Sequence, residues 1–133
     1  MLVDAIKKFS EETNINFNYD HDLKKSNWFN IGGKTKVYFK PDSLSNLIKF
    51  LKIFDNKEKI FTIGAGSNTL INDDTYNGIV IKLGKNFSNT SLLPNGVIVA
   101  GSACKDKKLS EFACDNEMGG LEFLSCIPGT VGG

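Results

Sequence analysis

The stretch Ile60-Phe61-Thr62-Ile63-Gly64-Ala65-Gly66-Ser67-Asn68-Thr69-Leu70-Ile71 constrains this chain more than any other. A short apolar run, read as a buried strand, delivers two glycines bracketing an alanine, then two small polar residues. Such a turn lets the backbone approach a ligand closely and point successive N–H groups at one anion. The Ser67 hydroxyl and the Asn68 amide add donors. On its own its default reading is a plain connection between two strands, with no ligand. A second glycine-rich segment, Ile127-Pro128-Gly129-Thr130-Val131-Gly132-Gly133, alters that balance. Two such turns, each preceded by an apolar run, suggest opposite walls of one elongated cofactor site.

Familiar nucleotide loops do not fit the first turn. The third glycine of G-x-G-x-x-G would fall on Thr69, and Leu70-Ile71-Asn72-Asp73-Asp74 does not open a helix. No Gly-Lys-Ser/Thr follows, which removes the P-loop. A phosphate here would be held by backbone and small side chains, without a helix dipole or a lysine, as suits a diphosphate lying in a groove.

The rest of the chain supplies a mixed scaffold. Leu2, Ala5, Ile6 and Phe9 fall on one face of a helix over residues 2–13. Residues 14–25 are polar and read as a linker, with Phe17 and Tyr19 as anchors. Alternation over Thr35–Lys40 predicts a strand ended by Pro41. Asp42 or Ser43 then caps a helix burying Leu44, Leu47, Ile48, Leu51 and Phe54. With the strand at 60–63 this makes a βαβ unit. Strands follow at 79–83 and 97–100, then a helix over 106–118 with Gly119 as its left-handed terminator and a tail at 120–127 apolar enough to be buried.

Sixteen basic residues against fifteen acidic ones leave a net charge of +1, which offers no electrostatic platform for nucleic acid or a membrane surface. The expected partner is a small molecule or another protein. No window approaches the roughly 18 apolar residues of a membrane span, and Met1–Lys8 lacks the apolar core of a signal peptide, so a cytoplasmic location is expected. Cys104, Cys114 and Cys126 have neither metal-ligand nor redox spacing and read as free thiols packed like small apolar residues. No metal site is expected. The length, 133 residues, suits one domain. Ending on a specialised turn, the chain reads as truncated.

Three motifs together resemble one family. Asn27-Trp28-Phe29-x-Ile31-Gly32-Gly33, then Ile63-Gly64-Ala65-Gly66-Ser67-Asn68-x-Leu70, then Gly120-Leu121-Glu122-Phe123-Leu124-Ser125-x-Ile127-Pro128-Gly129-Thr130-Val131-Gly132-Gly133 are similar in order and spacing to the UDP-N-acetylenolpyruvoylglucosamine reductases, or UDP-N-acetylmuramate dehydrogenases, of peptidoglycan synthesis. The resemblance implies an α+β fold, a truncated FAD-binding domain of the PCMH or vanillyl-alcohol-oxidase-like type over residues 27–133, preceded by an N-terminal helix and linker over 1–26. It implies FAD as cofactor, with Ile63, Gly64, Ala65, Gly66, Ser67, Asn68, Thr69 and Leu70 around its diphosphate. Ile127, Pro128, Gly129, Thr130, Gly132 and Gly133 would lie along the flavin, and Asn27 near the mouth of the fold. The implied substrates are NADPH and UDP-N-acetylglucosamine enolpyruvate, reduced to UDP-N-acetylmuramate. The family's proton-donating serine, supporting glutamate and substrate-binding arginine would fall beyond Gly133, so no catalytic residue is assigned within the chain. The alternative is a flavin- or nucleotide-binding module without catalysis.

Individual residues carry blander expectations. His21 reads as a solvated surface residue. Trp28 and Phe29 read as core in preference to an adenine stack. Glu122 reads as a buried hydrogen-bond partner of a turn. Cys126 stands where a small residue, often glycine, is usual in the family and reads as an ordinary thiol.

Overall fold

The computed structural model describes all residues, Met1–Gly133. They fall into two compact units, Met1–Lys82 and Leu83–Gly133.

The first unit is built on a four-stranded sheet. Its elements are α1 (Leu2–Thr13), β1 (Asn18–Asp22), β2 (Lys34–Phe39), α2 (Leu44–Phe54), β3 (Ile60–Thr62) and β4 (Tyr76–Ile81), with a single 3-10 turn at Lys24–Ser26. The spatial order is β1-β2-β4-β3: β1 runs antiparallel to β2, while β2 and β3 both run parallel to β4. The expected β2-α2-β3 crossover is present, with β4 inserted between its two strands. Ser43 caps α2, its hydroxyl accepting the Asn46 N–H at 3.2 Å.

Side-chain alternation sends the two faces of β2 to different cores. On one face Phe39 meets Phe50 (ring centroids 4.7 Å apart) and Phe17 (4.6 Å). Phe9 of α1 meets Phe54 of α2 at 5.5 Å, so both helices close on the same aromatic cluster. On the other face Tyr38 and Val80 pack with Leu23 and Ile63, flanked by Ile71 and Tyr76. The β2–β4 ladder slips by one residue between Thr35 and Val37. The Gly78 carbonyl beside the slip is within 3.1 Å of the fully buried Thr35 hydroxyl, which donates there or to the Val37 carbonyl at 3.0 Å. A polar residue in the middle of the sheet thus serves the backbone that the irregularity disturbs.

Several expectations are corrected. Residues 18–22, read as part of a linker, form an edge strand. Ile15 is buried before it, the strand's burial alternates residue by residue, and Asp20 has a left-handed φ of 48°. His21 is not a free surface residue, because its ring stacks on Tyr38 at 4.0 Å. The strand at β3 is not buried: it forms the sheet edge and leaves Phe61 half exposed, while only Ile63 after it is enclosed. The fully buried residue of α2 is Phe50, which the spacing argument passed over, while Leu44 and Ile48 remain exposed and Leu47 and Leu51 are partly covered. In α1, Ile6 and Phe9 carry the burial and Ala5 is exposed.

The second unit contains a hairpin, β5 (Thr90–Leu92) with β6 (Ile98–Ala100), then α3 (Asp106–Asp115) and a 3-10 stretch, Glu122–Cys126. The turn at Pro94-Asn95-Gly96 closes the hairpin, with Gly96 at φ 75°. Left-handed backbone after α3 is taken by Glu117 and Gly120, not by Gly119. The tail is not buried: Phe123 and Ile127 are exposed. Of the three free cysteines only Cys104 is packed inside, and Cys114 and Cys126 are exposed.

Two measurements test this packing. Phe50→Ala removes a ring with no exposed surface and is expected to cost about 3–5 kcal/mol by denaturant titration; a loss under about 1 kcal/mol would contradict the shared aromatic core. Burial holds the His21 imidazole below its ordinary value, with Asp22 opposing the shift. The folded state therefore binds that proton less readily than the unfolded one. This contribution is complete above the unfolded imidazole pKa, about 6.5, and is lost as pH falls through the lowered folded value. His21→Phe keeps the stack without titrating, so its melting temperature should fall less than the parent's between pH 7 and 5. Parallel pH profiles would refute the assignment.

Candidate functional site

The parallel pairing of β2, β4 and β3 brings three carboxyl ends to one edge of the sheet. In open α/β sheets this is the edge where ligands bind. The Ile63 N–H still donates to Ile81 O at 2.9 Å, and the Lys82 N–H to Phe39 O at 3.0 Å, after which the ladder stops. From Ile63 the chain enters the glycine turn, a strand-to-strand connection with no helix after it. The amides of residues 64–68 donate no hydrogen bond within the protein. Gly64, Ala65 and Ser67 are partly exposed and Asn68 is exposed, so these N–H groups are open to an outside acceptor.

The turn rests on the segment that carries the Asn27 motif. Trp28 N–H donates to Gly66 O at 3.0 Å. A Cβ on Gly66 would lie 2.3 Å from the Ser26 carbonyl oxygen and 2.7 Å from the Asn27 Cα, and Gly66 has a left-handed φ of 71°. The glycine is thus required by backbone packing inside the protein, a reason the motif alone did not disclose. Behind it, the Asn27 carboxamide donates to Leu23 O at 3.0 Å and to Ile31 O at 2.8 Å, pinning both ends of the 23–31 loop. Asn27 is only 5% exposed, and its Oδ1 has no partner within the chain. The same motif continues into Gly33, whose N–H donates to Asn72 O at 2.8 Å and which has no room for a side chain against the carbonyls of Asp73 and Asp74.

A cation stands at this wall that sequence reasoning did not associate with it. Lys82 Nζ donates to Ser26 O at 3.4 Å, the same carbonyl that abuts Gly66. Burial lowers the Lys82 pKa, and the neighbouring Lys40 lowers it further. No local sequence signal marks this; the pairing register of the structure brings it about, since Lys40 and Lys82 directly follow the paired residues Phe39 and Ile81. Beside them the buried Tyr38 phenol has a raised pKa, pushed up by desolvation and partly brought back by a hydrogen bond with Ser26. Trp28 and Phe29, expected in the core, are 61% and 51% exposed. Of the other residues assigned to the diphosphate turn, Ala65, Ser67 and Thr69 are half-buried, while Asn68 and Leu70 are exposed.

The second turn uses its backbone differently. In its own unit it lies along residues 102–106, with Lys105 and Thr130 forming a β-bridge. Val131 N–H donates to Cys104 O (3.0 Å), Gly132 N–H to Ser102 O (2.9 Å), Gly133 N–H to Thr130 O (2.8 Å) and Gly129 N–H to Ile127 O (3.0 Å). Side chains at Gly129 and Gly132 would collide with Asp106 and Ser102 respectively. Its glycines therefore allow close packing within the protein. For a ligand it offers the exposed apolar surfaces of Ile127 and Pro128 and the partly exposed Gly129 and Thr130. Glu122 is exposed rather than buried, yet it does bond a turn: its carboxylate accepts the Gly120 N–H at 2.8 Å. Its own N–H and that of Gly120 hold its pKa low. A cavity of about 350 Å³ between α3 and the 3-10 stretch, lined by Ser110, Cys114, Met118, Leu121, Glu122 and Ser125 among others, includes no residue of either glycine turn.

Comparison with known proteins decides the family. The FAD binding domain family matches residues 35–133. The chain belongs to that family. A UDP-N-acetylenolpyruvoylglucosamine reductase of Pelagibacter ubique (strain HTCC1062) is 67% identical over 133 residues, covering 100% of this chain and 44% of that protein. The reductase of the same description from Rickettsia typhi is 46% identical over 114 residues, 86% of this chain and 38% of its own length. The chain thus spans less than half of these relatives, and its likeness to them is to their FAD-binding part. A crystal structure of UDP-N-acetylenolpyruvylglucosamine reductase from Thermus caldophilus superposes with a TM-score of 0.69 at 24% identity, over 90% of this chain and 40% of that one, which shows a shared fold. The expected α+β FAD-binding architecture is therefore the one present. FAD is the cofactor of this family, and the donor run at 64–68 beside a lysine fits a phosphate-bearing group, since it supplies N–H donors and positive charge and no carboxylate.

The Asn27 clamp gives a direct test. Asn27→Asp replaces two donated bonds by a carboxylate facing two carbonyls and is expected to cost at least about 2 kcal/mol, because buried acceptors are left opposed and unpaired. Chemical denaturation measures it; a variant as stable as the parent would show that the loop does not depend on this side chain.

Proposed function

We propose that the chain is the FAD-binding part of an NADPH-dependent reductase that converts UDP-N-acetylglucosamine enolpyruvate to UDP-N-acetylmuramate in the cytoplasm, for cell-wall precursor synthesis. The observation that carries the cofactor assignment is the run of unengaged amides at 64–68, backed by a loop that leaves no room for a side chain at Gly66. The names of the relatives support the substrate and the reaction.

In this reading the amides of Gly64, Ala65, Gly66, Ser67 and Asn68 bind the diphosphate, with the Ser67 hydroxyl as a further donor. Thr69, Leu70 and Ile63 border it. By the family resemblance Ile127, Pro128, Gly129, Thr130, Gly132 and Gly133 would lie along the flavin. Bound flavin would supply two-electron carriage between a nicotinamide donor and an enol ether carbon. The contribution of these residues is to bind and orient: preorganised amides give up no protein hydrogen bond when a phosphate arrives and need no backbone reorganisation to receive it. Trp28 and Phe29, left exposed beside the turn, present aromatic faces on which an adenine ring can stack. None of the named residues is assigned a proton transfer.

Titration of the purified chain with FAD, followed by quenching of flavin fluorescence and by melting temperature, tests the cofactor assignment. Saturable quenching with a raised melting temperature is expected, and neither effect at high micromolar FAD would refute it. The same sample is expected to show no NADPH oxidation dependent on the enolpyruvyl substrate. Measurable turnover would place the proton-transfer group among these 133 residues.

A further inference from the structure

The carboxyl edge of the parallel sheet carries two lysines, Lys40 and Lys82. Lys40 and Lys82 directly follow the register pair Phe39 and Ile81, and by strand alternation they share the face of Tyr38 and Val80, against which the 23–31 loop is packed. Lys82 is half-buried there, and its Nζ donates to a carbonyl, Ser26 O. The ion pairs of the unit join Asp4 with the N-terminus, Lys8 with Glu12 and Lys36 with Asp20; none involves Lys82. The half-buried Lys82 ammonium is repelled by the exposed Lys40 beside it, and the Ser26 carbonyl is the one hydrogen-bond partner it has in return. The lowered Lys82 pKa, caused by burial and then by Lys40, expresses this cost. An anion on the adjacent amide run would reverse it. The carbonyl that holds Lys82 is the one on which Gly66 rests, so cation and amide run share a single backbone support.

We propose that Lys82, with Lys40 beside it, is the cationic half of a diphosphate-binding site whose neutral half is the amide run 64–68, and that this pair makes the site select phosphate-bearing flavins over riboflavin. This rests on the FAD reading given above. The shared chemistry is a diphosphate, which FAD and a uridine diphosphate moiety both carry; FAD is the source assigned here.

The test is titration of parent, Lys82→Gln, Lys82→Arg and Lys40→Gln chains with FAD, riboflavin and UDP, at low and high salt. If the parent binds no FAD, the cofactor reading itself fails. Given binding, Lys82→Gln should weaken FAD by about tenfold or more, the scale of one charge-assisted hydrogen bond. Its salt dependence should become shallower. Riboflavin should be unaffected, and Lys82→Arg should recover most of the affinity. Lys40→Gln should have the smaller effect. Unchanged FAD affinity in Lys82→Gln, equal loss for FAD and riboflavin, or a loss confined to UDP would each overturn the proposal. Should Lys82→Gln fail to fold, NMR of the Lys82 side chain in the parent decides: FAD should raise its titration midpoint, riboflavin should not, and no movement with FAD would overturn the assignment.

Discussion

The contact between Gly66 and the Ser26 carbonyl is the constraint on which the first unit's site depends. A β-carbon at Gly66 would sit 2.3 Å from that oxygen, so the turn and the 23–31 loop approach each other only as backbone on backbone. Everything else at this edge is arranged around that approach. Asn27 pins the loop ends, Trp28 donates into the turn, and Lys82 reaches the same carbonyl from the sheet. The amides at 64–68 stay unspent because the loop supports the turn through the Gly66 carbonyl and not through its N–H groups.

The two glycine-rich turns look alike as sequence and behave differently as structure. The first keeps its amides free. The second commits almost all of its amides to neighbouring carbonyls and packs its glycines against Asp106 and Ser102. In both turns glycine permits one loop to lie close on another, at Gly66 against Ser26 and at Gly132 against Ser102, but only the first turn leaves its amides without protein partners. A rule that equates glycine content with ligand contact would treat the two as equivalent.

What was misread shares a cause. The edge strand β1 contains only Tyr19 and His21 as large side chains among aspartates and an asparagine, residues depleted in strands, so its propensity does not mark it although its burial alternates. Phe50 lay outside the stripe drawn through Leu44 and Ile48, because which stripe of a doubly apolar helix faces inward is decided by the sheet it meets. Here the Phe9, Phe17 and Phe39 rings select Phe50 and Phe54. Exposure of Trp28, Phe29 and Phe123 is likewise a property of the loops that carry them, and hydrophobicity by itself points the other way.

Local chemistry in the sequence determined the strand–helix–strand order, the Ser43 cap, the strand-to-strand character of the glycine turn and, through three motifs in sequence, the FAD-binding family. These are legible because propensity, capping and motif spacing act over a few residues. Tertiary structure alone decided that β4 lies between β2 and β3, that Lys40 and Lys82 stand side by side behind the turn, and that Asn27 braces it from more than thirty positions away. Those facts depend on parallel register between strands separated by a whole crossover. Register is fixed by the summed fit of two opposed cores, which no single stretch of residues encodes.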